Sequence, residues 1–271
     1  MNVLSLFDGM SCGRIALERA GIKVDNYYAS EVDSHAIKVT QANWPETVQL
    51  GDVQHINYQM LPKIDLIIGG SPCQGFSFAG KQLNFSDPRS ALFFEFVHAI
   101  RTLKPKYFML ENVKMRKDIL SAISGELGVE PVFINSALVS GASRQRYYWT
   151  NIPGVTQPED RGIKLSDILE SGTTDREKAH CIDANYWKGA TLKNYFTKSR
   201  RQMVYRGDIK EFPHWETLEK SQMRMLTPLE IERLQTVPEG YTDHVSNTQR
   251  CKMLGNGWTV DVIAHIFRGL L

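Results

Sequence analysis

The sequence is short of cysteine, and the four it has, Cys12, Cys73, Cys181 and Cys251, stand far apart without a Cys-x-x-Cys pair. That spacing argues against a disulfide framework or a zinc site, leaving reduced thiols free for chemistry. No apolar run approaches the length of a membrane span, so no bilayer-crossing helix is expected. The N-terminus enters directly into a strand-like run, Asn2 to Phe7, with neither a basic leader nor a cleavage site. The protein is therefore expected to stay where it is made, in the cytoplasm. Internal repeats and low-complexity tracts are also missing, which removes solenoid and disordered classes.

An excess of one charge is lacking as well, since the chain carries a net charge of only +2. Its distribution is uneven, however: residues 161–224 hold 13 Lys and Arg against 9 Asp and Glu, an excess of four. Within it, Lys198-Ser199-Arg200-Arg201 lies near Tyr195, Phe196 and Tyr205, the mixture of cations and aromatics that nucleic-acid surfaces use. Taken alone, the same residues also fit a solvated loop face.

What is present is an alternating α/β pattern. The 271 residues suffice for one large domain with a smaller one attached. Strand-like runs cover Val3 to Phe7, Val24 to Ser30, Ile64 to Ile68, Tyr107 to Leu110 and Val132 to Val139. Helical stretches fall between them at Cys12 to Ala20, Ser34 to Ala42 and Ser90 to Thr102, the last with Leu92, Phe93, Phe96, Val97 and Ile100 at helical spacing. Strands alternating with helices of this length predict parallel βαβ units in a doubly wound sheet. After Pro153 the periodicity ends until about residue 222, which predicts a smaller irregular domain. A helix is expected from Thr227-Pro228-Leu229-Glu230, with Thr227 as N-cap, and another within Trp258 to Leu271.

The chemistry-bearing residues cluster at predicted strand ends. The first strand runs into Phe7-Asp8-Gly9-Met10-Ser11-Cys12-Gly13, Glu31 ends the second, and Asp52 follows Gly51. Glycines at such a turn let backbone approach a ligand, and a carboxylate at the next strand end can accept both hydroxyls of a ribose. The fingerprint Gly-x-Gly-x-x-Gly is missing, which favours an adenosine cofactor without a diphosphate, as S-adenosylmethionine is. The strand before Gly69-Gly70-Ser71-Pro72-Cys73-Gln74-Gly75-Phe76-Ser77 stops abruptly, so Cys73 sits just past it, and Glu111 ends the strand that follows. A thiolate can add to carbon 6 of a cytosine while an acid donates to ring nitrogen 3, which makes carbon 5 nucleophilic. A small buried hydrophobe remains the alternative for Cys73, and a turn cap the alternative for Glu111.

In order along the chain, Phe-x-Gly, Gly-Ser-Pro-Cys-Gln-Gly-Phe-Ser, Glu111-Asn112-Val113, Arg144-Gln145-Arg146 and Gly255-Asn256-Gly257-Trp258 resemble the cytosine carbon-5 DNA methyltransferase family over nearly the whole length. The stretch from Ser140 to Pro153, and Tyr241-Thr242-Asp243 with Val245-Ser246-Asn247, are similar to the catalytic domains of animal de novo methyltransferases. The resemblance implies the S-adenosylmethionine-dependent methyltransferase fold, with residues 1–155 and 250–271 as the catalytic and cofactor-binding domain and 156–249 as a small target-recognition domain. It implies Cys73 as nucleophile, Pro72 as the holder of its backbone, Glu111 at cytosine nitrogen 3, and Arg144 and Arg146 as a clamp on the flipped base. Cofactor contacts are implied from Phe7, Asp8, Gly9, Glu31, Val32, Asp52, Val53, Leu92, Asn256 and Trp258, with S-adenosylhomocysteine as product. Gln74, Lys81 and Arg89, on a loop over residues 74–90, and Lys198, Arg200 and Arg201 would face double-stranded DNA. No metal is implied, and the short recognition region leaves room for a second subunit to complete the DNA contact. One departure is that Ala142 stands where most bacterial members have a glutamine. Two further readings are open: a tRNA cytosine methyltransferase, to which Tyr195-Phe196-Thr197-Lys198 is similar, and a silent relative that only binds DNA.

Overall fold

The apolar run after Met1 forms β1 (Asn2–Leu6), in which Val3, Leu4 and Leu6 are fully buried. The structure, a computed structural model, describes residues 1–72, 88–208 and 215–271, with 88–90 and 215 described for their backbone only. The chain divides into two units: Met1–Ile134, Gln145–Gln157 and Ile263–Leu271 form the first, and Asn135–Arg144 and Pro158–Val262 the second.

In the first unit β1 is followed by α1 (Cys12–Arg19), β2 (Asn26–Ser30), α2 (Ser34–Asn43), β3 (Val48–Gln49), β4 (Leu66–Gly69), α3 (Pro88–Leu103), β5 (Tyr107–Val113), α4 (Lys117–Leu127), β6 (Val132–Asn135) and β7 (Gln145–Thr150). The sheet order is β3-β2-β1-β4-β5-β7-β6, with β1 parallel to β2 and β4, β2 to β3, and β4 to β5, while β5 and β7 are antiparallel. The winding thus reverses between β1 and β4, and in such a sheet ligands sit beyond the carboxyl ends of the strands at the reversal.

The core explains why the strands end where they do. Phe93, Phe96 and Val97 of α3 pack with Leu4, Leu6, Ile67, Leu110 and Trp149, each large side chain contributing about 1.5–3 kcal/mol by leaving water. β4 leaves the sheet at Gly69, where a Cβ would come within 2.9 Å of the Phe96 ring and 3.0 Å of the Leu6 carbonyl oxygen. Only glycine lets the strand turn out that close to α3.

Three expectations are corrected. The fifth strand runs to Val113, because β7 pairs Glu111 with Tyr148 and Val113 with Arg146 and so carries the ladder past the end of β4. Glu111 therefore lies within a strand. The run expected over Val132 to Val139 stops at Asn135, whose side chain accepts from the Ala137 N–H and turns the chain into a 3₁₀ turn. The segment Gln145–Thr150, read as a motif, is a strand, in keeping with its aromatic residues.

The second unit holds α5 (Leu192–Lys198), the antiparallel pair β8 (Met203–Tyr205) and β9 (Met223–Met225), α6 (Pro228–Leu234), α7 (Asn247–Asn256) and the start of α8 (Val260–Phe267). α6 has the expected cap: Thr227 accepts from the Glu230 N–H, and the Glu230 carboxylate accepts from the Thr227 N–H. A small core of Tyr195, Met203, Tyr205, Leu218 and Met223 surrounds fully buried Gln202, which donates to Tyr195 Oη and the Met203 carbonyl, each at 2.8 Å. Among the described residues no helix is long and apolar enough to cross a membrane.

Candidate active site

The turn after β1 is shaped by backbone conformation. Phe7, Gly9 and Ser11 all have left-handed φ, at 59°, 61° and 61°. Three N–H groups of this turn are used within the protein: Gly9 N–H donates to Glu31 Oε2 at 2.7 Å, Asp8 N–H to the Ser30 carbonyl at 3.1 Å and Ser11 N–H to the Asp8 carbonyl at 3.2 Å. The other Glu31 oxygen accepts from the N–H groups of Val32 (2.7 Å) and Asp33 (2.8 Å). These three bonds hold the carboxylate in one orientation at the end of β2. Next to it Ser30 Oγ donates to the Gly51 carbonyl at 2.7 Å, and Asp52 caps the following turn by accepting from the Gln54 N–H at 3.0 Å. Val53 is buried in the core, Leu92 packs half-buried against it, and Val32 is 71% exposed.

Asp8 is held from several sides. Its carboxylate accepts from Tyr27 Oη at 2.7 Å and from Ser11 Oγ, and Ser11 also meets Thr40 Oγ1 at 2.9 Å. Burial pushes the Asp8 carboxyl up to about 6, with the Glu31 charge acting the same way and the hydroxyls of Ser11, Ser5 and Tyr27 opposing it. Neither Tyr27 nor Ser11 was singled out from sequence. Tyr27 reads there as one more inward residue of an alternating strand, and a contact across 19 positions leaves no local signal.

At the reversal, β4 ends at Gly69 opposite Leu110, so Glu111 stands one residue beyond. Its Oε1 lies 2.7 Å from Nε of Arg146, and both side chains are largely shielded from solvent, at 10% and 13% exposed. Arg146 Nη1 also donates to the Gln145 carbonyl at 2.8 Å. Buried Asn112 reaches Ser71 Oγ at 3.3 Å and its carbonyl at 3.4 Å, tying the strand after Glu111 to the residues before Pro72. Pro72 is half-buried. Cys73, Gln74 and Lys81, and the side chain of Arg89, lie outside the described residues.

The remaining expected residues belong to the second unit. Asn256 is exposed at the end of α7 and Trp258 is 9% exposed just after it. Arg144 is buried, with its guanidinium on backbone carbonyls of Ile182, Gly255 and Gly257. Lys198 and Arg200 are exposed, while half-buried Arg201 donates to the Gly189 carbonyl. Among the described residues no group of His, Cys, Asp and Glu could hold a metal ion.

The sheet thus carries an oriented carboxylate after β2 and a paired carboxylate and guanidinium on β5 and β7, and comparison with known proteins decides the family. The profile of the C-5 cytosine-specific DNA methylases matches residues 1–119 and 144–271. The chain belongs to that family. It is a methyltransferase, and the family depends on S-adenosylmethionine. The chain is 29% identical over 310 aligned positions to the type II methyltransferase M1.ScrFI of Lactococcus lactis subsp. cremoris, covering 99% of this chain and 77% of that protein. It is likewise 29% identical to the type II methyltransferase M.NgoBI of Neisseria gonorrhoeae, over 96% of this chain and 90% of that one. The S. pombe Dnmt2 methyltransferase has the same fold, with a TM-score of 0.75 at 17% identity over 100% of this chain and 99% of that one. The profile passes over residues 120–143, the stretch that contains Ala142 in place of the usual glutamine.

Proposed function

We propose that this methylase acts on double-stranded DNA, with Cys73 as nucleophile toward a cytosine rotated out of the duplex. The observation that carries the assignment of roles is Glu111 held 2.7 Å from Arg146, in the strand tied through Asn112 to Ser71, two residues before Cys73.

The residues around the first turn fit the methyl donor. A Cβ at Gly9 or Gly51 would meet nothing within 4 Å, so the cradle has open space above it. Exposed Val32 offers an apolar face to a purine, and Glu31, already oriented by three N–H groups, keeps one lone pair, on Oε2, for a ribose hydroxyl. Phe7, Asp8, Gly9, Glu31, Val32, Asp52, Val53 and Leu92 are assigned to the donor, and Asn256 and Trp258 are assigned to it on the resemblance. S-adenosylmethionine supplies a methyl group activated on a sulfonium and leaves as S-adenosylhomocysteine.

The protein's own part is to make carbon 5 reactive. The Cys73 thiolate forms a bond to carbon 6 while Glu111 gives its proton to nitrogen 3, so the electron pair of the carbon 5–carbon 6 double bond becomes available at carbon 5. Arg146 keeps the Glu111 carboxyl in place and balances its charge when the proton has left. After carbon 5 is methylated its proton passes to a water molecule, the carbon 6–sulfur bond breaks as the carbon 5–carbon 6 double bond re-forms, nitrogen 3 returns its proton to Glu111, and the thiolate is restored.

Asp8 gives this reading a pH signature. A donor that carries positive charge favours an ionised carboxylate. The Asp8 group titrates near 6, so the attraction is present above that pH and lost as the pH falls through it. Calorimetric titration should show S-adenosylmethionine binding several-fold more weakly at about pH 5 than at about pH 7.5, and Asp8→Asn should flatten the profile. An unaltered profile in the variant would take Asp8 out of the donor site.

Rotating a cytosine out of the stack costs a few kcal/mol, which phosphate contacts must offset. Replacing exposed Lys198 and Arg200 by glutamine should lower the salt slope of duplex binding by about two. Methyl transfer to duplex DNA should exceed transfer to tRNA under the same conditions. A preference for tRNA would overturn the substrate, and an unchanged slope would move the DNA face elsewhere.

A further inference from the structure

Arg144 departs from the role its place in the motif suggests. It is 6% exposed, and its guanidinium is engaged within the second unit. Nη1 donates to the carbonyls of Ile182 and Gly255, both at 3.2 Å, and Nη2 donates to the carbonyl of Gly257 at 2.9 Å. Nη1 also lies 3.5 Å from Cys181 Sγ. The Arg144 backbone is fixed separately, its N–H donating to Asn135 Oδ1 at 3.1 Å and its carbonyl accepting from the Ser136 N–H at 3.0 Å.

The accepting carbonyls explain what such an arrangement does. Gly255 is the penultimate residue of α7, and Gly257 is its C-cap. The last carbonyls of a helix have no partner within it and carry the negative end of its dipole, so a buried cation there both satisfies and stabilises them. A second feature points to the same place. A Cβ on Gly255 would lie 2.3 Å from the Asp183 carbonyl carbon and oxygen and 2.6 Å from the Ala184 nitrogen. The segment carrying Ile182 and Asp183 is thus pressed backbone to backbone onto the end of α7, and Arg144 ties the two together. Between Gly255 and Trp258 stands Asn256. A planar fork of donors suits carbonyls arriving from two segments, whereas a lysine would bring the charge without the fork.

We infer that Arg144 is a positioning residue for the donor, setting the turn from Gly255 to Trp258 and through it Asn256 and Trp258, and is not a contact to the target base. The inference rests on the assignment of those two residues to S-adenosylmethionine.

The test uses the full chain with Arg144→Met and Arg144→Lys. Three measurements are needed: calorimetric titration of S-adenosylmethionine without DNA, amide exchange over residues 254–258 and 181–184, and adduct formation on 5-fluorocytosine DNA at saturating donor. Removing charge-assisted bonds to the turn should weaken donor binding about tenfold in Arg144→Met, less in Arg144→Lys, with faster exchange in both segments. Adduct formation at saturating donor should stay near the wild-type rate. Unchanged donor affinity and exchange together with a collapse in adduct formation would make Arg144 a base contact and overturn the inference. Should Arg144→Met fail to fold, Gly255→Ala disturbs the same turn without touching the guanidinium and should lose donor affinity equally. A folded Gly255→Ala with wild-type affinity would also overturn it. A wild-type protein that does not bind S-adenosylmethionine would instead refute the donor assignment itself.

Discussion

Cys73→Ala is expected to leave no covalent complex on duplex DNA carrying 5-fluorocytosine. The fluorine at carbon 5 cannot depart as the proton does, so after methyl transfer the wild-type enzyme stays bonded to carbon 6 through sulfur. A denaturing gel should show the wild-type protein shifted to the mass of a protein–DNA conjugate, and the variant unshifted. Methyl transfer to ordinary cytosine should fall by roughly three orders of magnitude or more, as removal of a nucleophile does in other covalent enzymes. Duplex and donor binding by the variant should persist, since neither depends on the thiol. A conjugate that still forms in Cys73→Ala would assign the nucleophile to another residue, and the remaining cysteines offer a clear comparison: Cys12 and Cys251 are buried and only Cys181 is exposed.

The second large effect belongs to Glu111→Gln. The amide keeps the shape of the side chain and an oxygen that can accept from Arg146, but it has no proton to give to nitrogen 3. Adduct formation should slow by about 10²–10⁴-fold, the usual worth of a positioned acid, while the protein still folds. Comparing quenched-flow rates of adduct formation with thermal melting separates chemistry from structure. Both variants leave the Arg146 charge without its carboxylate, but Glu111→Gln keeps an accepting oxygen and the volume of the side chain, so Glu111→Ala should lower the melting temperature more than Glu111→Gln does. A wild-type adduct rate in Glu111→Gln would remove Glu111 from the protonation step and leave the pair with Arg146 a structural one.

Periodicity in the sequence made the first unit readable because its strands and helices each bury one repeating face. The run around Phe93, Phe96 and Val97 declares a helix by its spacing, and the apolar run ending at Gly69 declares a buried strand by its abrupt stop. The second unit was less readable for a physical reason. Its small core is made of tyrosines and methionines around buried Gln202, and bonds such as Tyr195 Oη with Gln202 Nε2 follow no helical or strand period. Arg201 illustrates the same point: it reads as a surface cation beside Arg200, yet it is half-buried and bonded to the Gly189 carbonyl.

The sequence by itself determined the alternating α/β class, the strand ends after which Asp8, Glu31 and Asp52 follow, and, through the spacing of its motifs, the methylase family. These are matters of local order, in which hydrophobic period and turn residues act over a few positions. Only the tertiary structure decided which of those groups meet. β7 runs antiparallel to β5, and that pairing delivers Arg146 to Glu111 across 35 positions of chain. Tyr27 reaches Asp8 because β1 and β2 are neighbours in the sheet, and burial there moves the Asp8 carboxyl toward neutral pH. Two arginines that look equivalent as Arg144-Gln145-Arg146 differ because one lies against a carboxylate and the other at the carbonyl end of α7, and what surrounds a guanidinium in space, not its place in a motif, sets what it can hold.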